Sequence, residues 1–434
     1  MEKSAFQKAR DSYKPVLPKG LRTAVGLKED ETTACIANQD EIKAMFPNTY
    51  GMPVVEFVEG EETCHEQMNT GVILSGGQAP GGHNVITGLF DTLKKLNPEN
   101  RLFGFLLGPG GLVKHKYIEI TETFINDFRN TGGFDMVGSG RTKLETVEQF
   151  EKGYEILKYL NIRSLVIIGG DDSNTNACVL AEYYKAKNYG IQVIGCPKTI
   201  DGDLKCEEIE TSFGFDTATK VYSELIGNIE RDCNSARKYW HFIKLMGRSA
   251  SHIALECALQ CHPNVCLISE EVKEKDMSLN DIVDYICKVI SYRADRGMNY
   301  GVILIPEGLI EFIPAIGRLI DELNDLLAFH GDDYRFMSHG EQREYILNHL
   351  SEANKRTFET LPSEVARQLS LDRDPHGNVQ VSLIETEKLI SKMCAAKLKK
   401  WKESGKFKGK FASQHHFFGY EGRCAAPSNY DTNY

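Results

Sequence analysis

Short runs of consecutive hydrophobic residues recur along the chain, and several of them end in glycine before a stretch long enough for a helix. A strand that is buried on both faces is hydrophobic throughout, so these runs predict a mostly parallel sheet with helical connections. The predicted strands are 72–74, 103–107, 165–168, 191–195, 242–245, 265–268 and 302–305. The pattern favours a doubly wound α/β fold, in which ligands bind at the carboxyl ends of the strands.

The pattern changes from Leu309 to about Lys410, where charged amphipathic stretches replace the hydrophobic runs. Hydrophobic residues recur there at helical spacing in 316–327, 343–357 and 383–401, which predicts a helical insertion. A basic run near its end is typical of a solvated helix face, and the alternative is steering of an anionic ligand. Its members are Lys397, Lys399, Lys400, Lys402, Lys406, Lys408 and Lys410.

The composition narrows the classes of function. The 434 residues are 41% hydrophobic, and no hydrophobic run approaches the ~18 residues of a membrane helix. The 51 basic and 61 acidic residues give a net charge of −10, which disfavours a general nucleic-acid or anionic-membrane surface. Twelve cysteines occur without a C-x-x-C pair, and the polar N-terminus lacks the hydrophobic core of a secretory signal. We therefore expect a cytoplasmic protein without a nucleic-acid or membrane partner.

Glycine-bearing loops follow several of the predicted strands. Residues 75–82 lack the terminal Lys-Ser/Thr of a P-loop, and neither 108–111 nor 138–141 completes a G-x-G-x-x-G fingerprint. A Gly-Gly turn such as Gly76-Gly77 nevertheless exposes backbone N–H groups that suit a phosphate at the start of a helix. The alternative is purely structural, because a tight strand-to-helix turn also requires glycine.

Two adjacent carboxylates, Asp171 and Asp172, follow the predicted strand 165–168 and its two glycines. Neighbouring carboxylates repel each other unless a cation lies between them, and Mg²⁺ bridging phosphate oxygens would satisfy both. The alternative is that one of them caps a helix that begins near Asn174.

A second acidic loop contains Lys198, Thr199, Asp201 and Asp203. It does not fit a calcium loop, since the sixth and twelfth positions are cysteine and serine instead of glycine and glutamate. A carboxylate near a lysine could take a proton from a substrate hydroxyl while the lysine neutralises a transferring phosphoryl group. An ordinary Asp-Gly turn is the competing interpretation.

Two further motifs follow predicted strands: Met246-Gly-Arg248 and Pro306-Glu-Gly308. Each alone is compatible with a turn. Together with the acidic loops they bring Arg, Glu, Asp and Lys to one edge of a sheet, which indicates a functional site.

The motifs Ser75-Gly-Gly-x-Ala-Pro-Gly, Gly169-Gly-Asp-x-Ser, Thr199-Ile-Asp-x-Asp, Met246-Gly-Arg and Pro306-Glu-Gly, in this order, resemble the phosphofructokinase family. Residues 415–424, with 384–388 upstream, are similar to its long, diphosphate-dependent branch. The resemblance implies two Rossmann-like lobes with mostly parallel sheets plus a helical insertion. It also implies reversible transfer of a phosphoryl group from diphosphate to the 1-hydroxyl of fructose 6-phosphate.

The resemblance assigns roles to the motif residues. Asp201 would be the general base, Asp171 would hold Mg²⁺, and Asp172, Lys198 and Arg248 would complete the catalytic set. Diphosphate would be bound by Gly77, Arg141, Asp172 and Lys198. The sugar phosphate would be bound by Thr199, Ile200, Asp201, Asp203, Lys238, Tyr239, Met246, Gly247, Arg248, Glu307, Tyr420, Glu421, Gly422 and Arg423.

Two positions bear on the choice of donor. ATP-dependent relatives typically have glycine in place of Asp172 and of Lys198, and a carboxylate at 172 would repel an α-phosphate. Lys198 would supply charge to a compact diphosphate, so diphosphate is the expected donor. An ATP-dependent enzyme and a non-catalytic regulatory subunit of the same family are the alternatives.

The resemblance also implies a domain organisation. Residues 1–69 would be an N-terminal extension, 70–240 the donor lobe, 241–308 the first part of the sugar-phosphate lobe and 309–411 the helical insertion. Residues 412–434 would return to the sugar-phosphate lobe, and we expect this lobe to be truncated. Lys238 and Tyr239 match positions that reach the sugar phosphate of a neighbouring subunit, so a homodimer or higher oligomer is expected.

Overall fold

A computed structural model describes residues 5–10, 12–22, 24–61, 65–207, 209–329, 334, 337–371 and 383–434. The chain forms two compact units. Unit 1 comprises Met1–Ile200, Leu204–Ala218 and Gly422–Tyr434, and unit 2 comprises Asp201–Asp203 and Thr219–Glu421.

Unit 1 contains a five-stranded sheet and an antiparallel pair, β1 (Val25–Thr32) with β2 (Pro53–Glu59). The sheet order is β5-β4-β3-β6-β7, and only β5 runs antiparallel to its neighbour. These strands are β3 (Asn69–Leu74), β4 (Leu102–Phe105), β5 (Tyr117–Ile120), β6 (Ile162–Gly169) and β7 (Gln192–Pro197).

The helices of unit 1 include those that connect the strands of its sheet. Their hydrophobic residues pack on the sheet in a core with Ile73, Phe103, Leu165 and Ile167. The helices are Ala5–Arg10, Lys19–Arg22, Gln39–Met45, Gly82–Leu96, Pro109–Val113, Glu122–Asn126, Val147–Tyr159, Asp171–Ala186 and Asn429–Asn433. The helices Phe215–Ala236 and Tyr420–Arg423 have residues in both units.

Unit 2 is built on a four-stranded parallel sheet with the order β11-β8-β10-β9. The strands are β8 (Trp240–Leu245), β9 (Val265–Cys266), β10 (Gly301–Pro306) and β11 (Ser413–Phe418). The helices are His252–Cys261, Ser269–Glu274, Leu279–Ala294, Leu309–Phe312, Pro314–Phe329, His339–His349, Glu352–Thr360, Ser363–Leu369 and Thr386–Glu403.

The helices that follow Leu309 share one hydrophobic core with this sheet. Trp240 and Phe242 of β8 belong to the same buried cluster as Leu323, Phe358 and Ile390. Burial of such side chains stabilises a fold by about 1.5–3 kcal/mol each, so these helices contribute to the stability of unit 2.

The predicted α/β fold class is confirmed, since both larger sheets are mostly or wholly parallel and helices connect their strands. β1, β2, β5 and β11 were not among the predicted strands. β1 and β2 expose most of their residues, so their sequences lack the hydrophobic run on which the prediction rested. Within the part of the chain that the structure describes, every helix is too short or too polar to cross a bilayer.

Candidate active site

Three glycine loops of unit 1 meet behind the carboxyl end of β3. The amide of Gly76 donates to the carbonyl of Gly140 at 3.0 Å, and the hydroxyl of Ser139 donates to the carbonyl of Gly76 at 2.6 Å. A Cβ on Gly108 would lie 2.5 Å from the amide nitrogen of Gly140, so only glycine permits this approach. The loop 75–77 is therefore fixed by backbone contacts, and Arg141 follows it on an exposed position.

Lys198 lies directly after β7 and is 5% exposed. Its Nζ donates to the carbonyl of Gly77, which joins the two predicted donor-binding segments. The same ammonium lies 5.9 Å from the ring centroid of Phe134. A buried ammonium beside a glycine turn provides a fixed positive charge for an anionic ligand.

Asp171 and Asp172 occupy the first turn of the helix Asp171–Ala186, and both are exposed. The capping alternative is wrong, because the N-cap residue is Gly170 and the helix begins three residues earlier than Asn174. Carboxylate oxygens are hard ligands, and Mg²⁺ in proteins is typically held by one or two carboxylates together with substrate phosphates. The donor set therefore fits Mg²⁺, although none of the described residues forms a cluster of three or more such ligands.

Arg423 also lies in unit 1. Its Nη1 donates to the carbonyl of Gln78 at 3.4 Å, next to the Gly76-Gly77 turn. The segment that carries it is fixed by Asp431, which is 1% exposed and accepts the amides of Gly214 and Thr217, each at 2.9 Å. These contacts explain why Gly422–Tyr434 group with unit 1, whereas β11, Tyr420 and Glu421 group with unit 2.

Asp201 belongs to unit 2 and is 8% exposed. Its Oδ2 accepts the backbone amides of Arg248 at 3.0 Å and of Ser249 at 3.3 Å. The carbonyl of Gly202 lies 3.0 Å from Nδ1 of His252. Two amide donors fix the carboxylate in one orientation at the carboxyl end of β8, which suits a group that must accept a proton from a positioned hydroxyl.

Glu307 lies after β10 and is 5% exposed. Its Oε2 accepts the amide of Gly247 at 3.0 Å, and its own amide donates to the carbonyl of Leu245 at 3.0 Å. A Cβ on Gly308 would lie 2.1 Å from the carbonyl oxygen of Arg248. The two sequence motifs after β8 and β10 are therefore interlocked, and glycine at 308 is a steric requirement.

The side chain of Arg248 makes a two-point ion pair with Glu311. Nη2 lies 3.0 Å from Oε1 and Nε lies 3.3 Å from Oε2. Burial raises the pKa of Glu311, and Arg248 opposes this effect. The sequence analysis did not identify Glu311 or His252, since neither stands in a motif; the available signal was a charged residue within the hydrophobic run 309–313.

The remaining predicted residues are distributed over both units. Thr199 and Ile200 follow Lys198 in unit 1, and Asp203 is exposed in unit 2. Met246 is buried, and its amide donates to the carbonyl of Phe418 at 2.9 Å. Exposed positions are taken by Lys238, Tyr239, Tyr420 and Glu421, while Gly422 is buried.

The chain matches the family model described as phosphofructokinase over residues 69–360. It is 63% identical over 435 residues to pyrophosphate–fructose 6-phosphate 1-phosphotransferase of Porphyromonas gingivalis, covering all of this chain and 79% of the relative. The enzyme of the same name from Entamoeba histolytica is 52% identical over 438 residues, with 100% and 80% of the two chains covered.

Solved structures resemble the fold at low sequence identity. A pyrophosphate-dependent phosphofructokinase from Nitrosospira multiformis superposes with a TM-score of 0.55 and 17% identity, covering 84% of this chain and 72% of that one. The T-state phosphofructokinase of Pichia pastoris gives a TM-score of 0.54 and 15% identity, covering 87% of this chain and 33% of that one. These likenesses support the fold alone.

Proposed function

Because the chain belongs to the phosphofructokinase family, we propose that the residues described above perform that family's phosphoryl transfer, with Asp201 as the general base. The reaction is the reversible transfer of a phosphoryl group from diphosphate to the 1-hydroxyl of fructose 6-phosphate. The products are fructose 1,6-bisphosphate and phosphate. The enzyme is therefore a phosphotransferase that acts on an alcohol group of a glycolytic sugar phosphate.

The donor side of the proposal rests on Lys198. Its buried ammonium at the carbonyl of Gly77 places a full positive charge beside the glycine turn, where a diphosphate would receive backbone N–H groups. Gly77, Arg141, Asp172 and Lys198 bind the diphosphate in this proposal. Phosphoryl transfer requires mainly positioning and charge stabilisation, which these groups supply without any adenosine contact.

The acceptor side rests on Asp201 and the motifs that surround it. The amides of Arg248 and Ser249 orient the Asp201 carboxylate, so one oxygen remains directed by the backbone while the group accepts the proton of the 1-hydroxyl. Glu307, Gly247 and Met246 contact the sugar. The other proposed sugar-phosphate contacts are Thr199, Ile200, Asp203, Lys238, Tyr239, Arg248, Tyr420, Glu421, Gly422 and Arg423.

Asp171 holds Mg²⁺ in this proposal, and Asp172 shapes the donor site beside it. When bound, Mg²⁺ would neutralise negative charge on the phosphate oxygens during transfer. The exposed position of both carboxylates in the first helical turn leaves their oxygens accessible to a metal–diphosphate complex.

The assembly and location are also proposed. Relatives from Arabidopsis thaliana carry the name subunit beta 1 or beta 2, which supports an oligomer in which Lys238 and Tyr239 contribute to a neighbouring subunit's site. We expect the protein to act in the cytoplasm, where thiols remain reduced, as the free cysteines among the described residues require.

A coupled assay with the purified protein tests the reaction. Fructose 1,6-bisphosphate formation is followed with Mg²⁺, fructose 6-phosphate and either diphosphate or ATP, and the reverse reaction is followed with phosphate. We expect turnover with diphosphate in both directions. Equal turnover with ATP would overturn the choice of donor, and the absence of turnover with either donor would support a non-catalytic subunit.

A further inference from the structure

Unit 2 contains a lysine that is buried in its sheet. Lys244 of β8 is 2% exposed and lies two residues before Met246. Its Nζ donates to the carbonyl of Ile384 at 2.9 Å and lies 3.7 Å from Oε2 of Glu387. The same ammonium is 4.3 Å from the ring centroid of Phe417. Burial of an ammonium is costly unless it is paired, so these contacts are needed to keep the charge inside the protein.

The contacts of Lys244 connect three parts of unit 2. Ile384 and Glu387 lie at the start of the helix Thr386–Glu403, and Glu387 is 4% exposed. Phe417 is the register partner of Lys244 on β11, and Ile305 is its partner on β10. The segment 384–388 was singled out in the sequence but received no role in the reaction. Its buried residues meet the ammonium of Lys244.

Lys244 is also coupled to the sugar-binding residues. The amide of Glu307 donates to the carbonyl of Leu245, the residue that follows Lys244, and the Glu307 carboxylate holds the amide of Gly247. Burial lowers the pKa of Lys244, while Glu387, Glu307 and Glu385 oppose this effect. The lysine and Glu307 therefore stabilise each other's charged forms.

Other charged groups face the same pair from neighbouring elements. His415 of β11 is lowered in pKa by burial, with Glu387 and Glu385 raising it and Lys388 lowering it. The carboxylates outnumber the ammonium groups at this position, since Glu307, Glu385 and Glu387 all act on Lys244. Loss of Lys244 would leave buried carboxylates without their nearest positive charge.

We infer that Lys244, held in place by Ile384 and Glu387, is a positioning residue that keeps the Glu307 carboxylate charged and directed at the sugar. The inference rests on the proposed function, because it assigns Glu307 to fructose 6-phosphate. It also gives the helix Thr386–Glu403 a role in substrate binding through a buried ion pair. No contact of Lys244 with substrate is involved.

A purely structural role is the competing explanation, and a paired replacement separates the two. Replacing a buried ion pair by hydrophobic residues of similar size is often neutral or stabilising, whereas removing one partner is strongly destabilising. Lys244→Met together with Glu387→Leu should therefore recover the stability that Lys244→Met alone loses. A sugar-binding role of the charge should not be recovered.

The experiment compares Lys244→Met, Lys244→Arg and the double variant in the diphosphate assay. A hydrogen bond to a charged group contributes about 1.5–3 kcal/mol, so we expect Lys244→Met to raise the KM for fructose 6-phosphate about tenfold or more. The KM for diphosphate should change less than about twofold. Lys244→Arg should restore most of the loss, and the double variant should restore the melting temperature but not the KM.

A matched control is Lys392→Met, because Lys392 lies on the same helix and pairs with Glu364 at an exposed position. It should leave both KM values unchanged. Recovery of the KM for fructose 6-phosphate in the double variant, or equal changes in both KM values, would overturn the inference. Failure of the proposed function is distinguishable, since the unaltered protein would then show no transfer from diphosphate.

Discussion

The guanidinium of Arg423 lies against Gly77 in the glycine turn of unit 1. A Cβ on Gly77 would be 2.3 Å from Nη1 of Arg423, the atom that donates to the carbonyl of Gln78 at 3.4 Å. Such a contact is relieved by movement of the flexible arginine, so Gly77→Ala displaces Arg423 rather than unfolding the loop.

We expect Gly77→Ala to leave the melting temperature within about 3 °C, because the obstacle is the end of a flexible side chain. The KM for diphosphate should rise about tenfold, since the methyl group covers the turn that binds the donor. Steady-state kinetics with varied diphosphate measures this. Gly88→Ala is the control, as a Cβ there meets nothing within 4 Å, and equal kinetics in the two variants would contradict the role of Gly77.

Asp201→Asn tests the general base. Asparagine can still accept the amides of Arg248 and Ser249 through its carbonyl oxygen, so the local structure should persist. It cannot accept the substrate proton, and we expect kcat to fall by about 10²–10⁴ with little change in the affinity for fructose 6-phosphate. Asp325→Asn, at an exposed position, should keep full activity. Unchanged kcat in Asp201→Asn would remove Asp201 from the mechanism.

The donor preference is tested by combining Asp172→Gly with Lys198→Gly. Loss of the buried ammonium at Gly77 should weaken the use of diphosphate, and loss of the carboxylate should reduce repulsion of an α-phosphate. We expect the ratio of kcat/KM for diphosphate over that for ATP to fall at least about tenfold. A ratio that stays constant while both values fall would show only damage to the fold.

A buried histidine predicts how stability depends on pH. His83 is fully buried, its Nδ1 lies 2.8 Å from the Thr131 hydroxyl, and its Nε2 accepts the amide of Met136. Burial lowers the pKa of His83 to about 4, with Asp135 opposing. The folded protein thus resists protonation that the unfolded chain accepts near its ordinary pKa of about 6.5.

Stability should therefore be complete above pH 6.5 and should decline as the pH falls towards 4, by about 3 kcal/mol in total from this group. Urea unfolding of the protein between pH 7.5 and 4.5 measures the slope. In His83→Gln the slope should flatten, whereas His339→Gln, at an exposed position, should retain it. A slope that survives in His83→Gln would assign the pH dependence to other groups.

The sequence predicted the fold where a strand is buried on both faces. β3, β6, β8 and β10 are hydrophobic throughout, so their runs stood out from the surrounding chain. β11 did not, because its residues Ser413–Phe418 mix two histidines with polar and aromatic side chains on the edge of a sheet. Its position depends on pairing with β8, which no local pattern encodes.

The candidate site was partly predictable for a similar reason. Asp201, Arg248 and Glu307 each stand directly after a predicted strand, where parallel topology brings groups to one edge. The ion pair of Arg248 with Glu311 and the contact of Arg423 with the glycine turn are long-range side-chain choices. They depend on packing between distant segments, so spacing along the chain carried no signal for them.

The order β11-β8-β10-β9 also determines when the sheet of unit 2 can be completed during synthesis. β8, β9 and β10 are available once residue 306 has left the ribosome, but the partner of β8 on its other side is Ser413–Phe418. Until then a hydrophobic strand presents unpaired backbone groups, which are a template for pairing with another nascent chain. The late arrival of β11 makes this edge the point at which newly made chains are most exposed to aggregation.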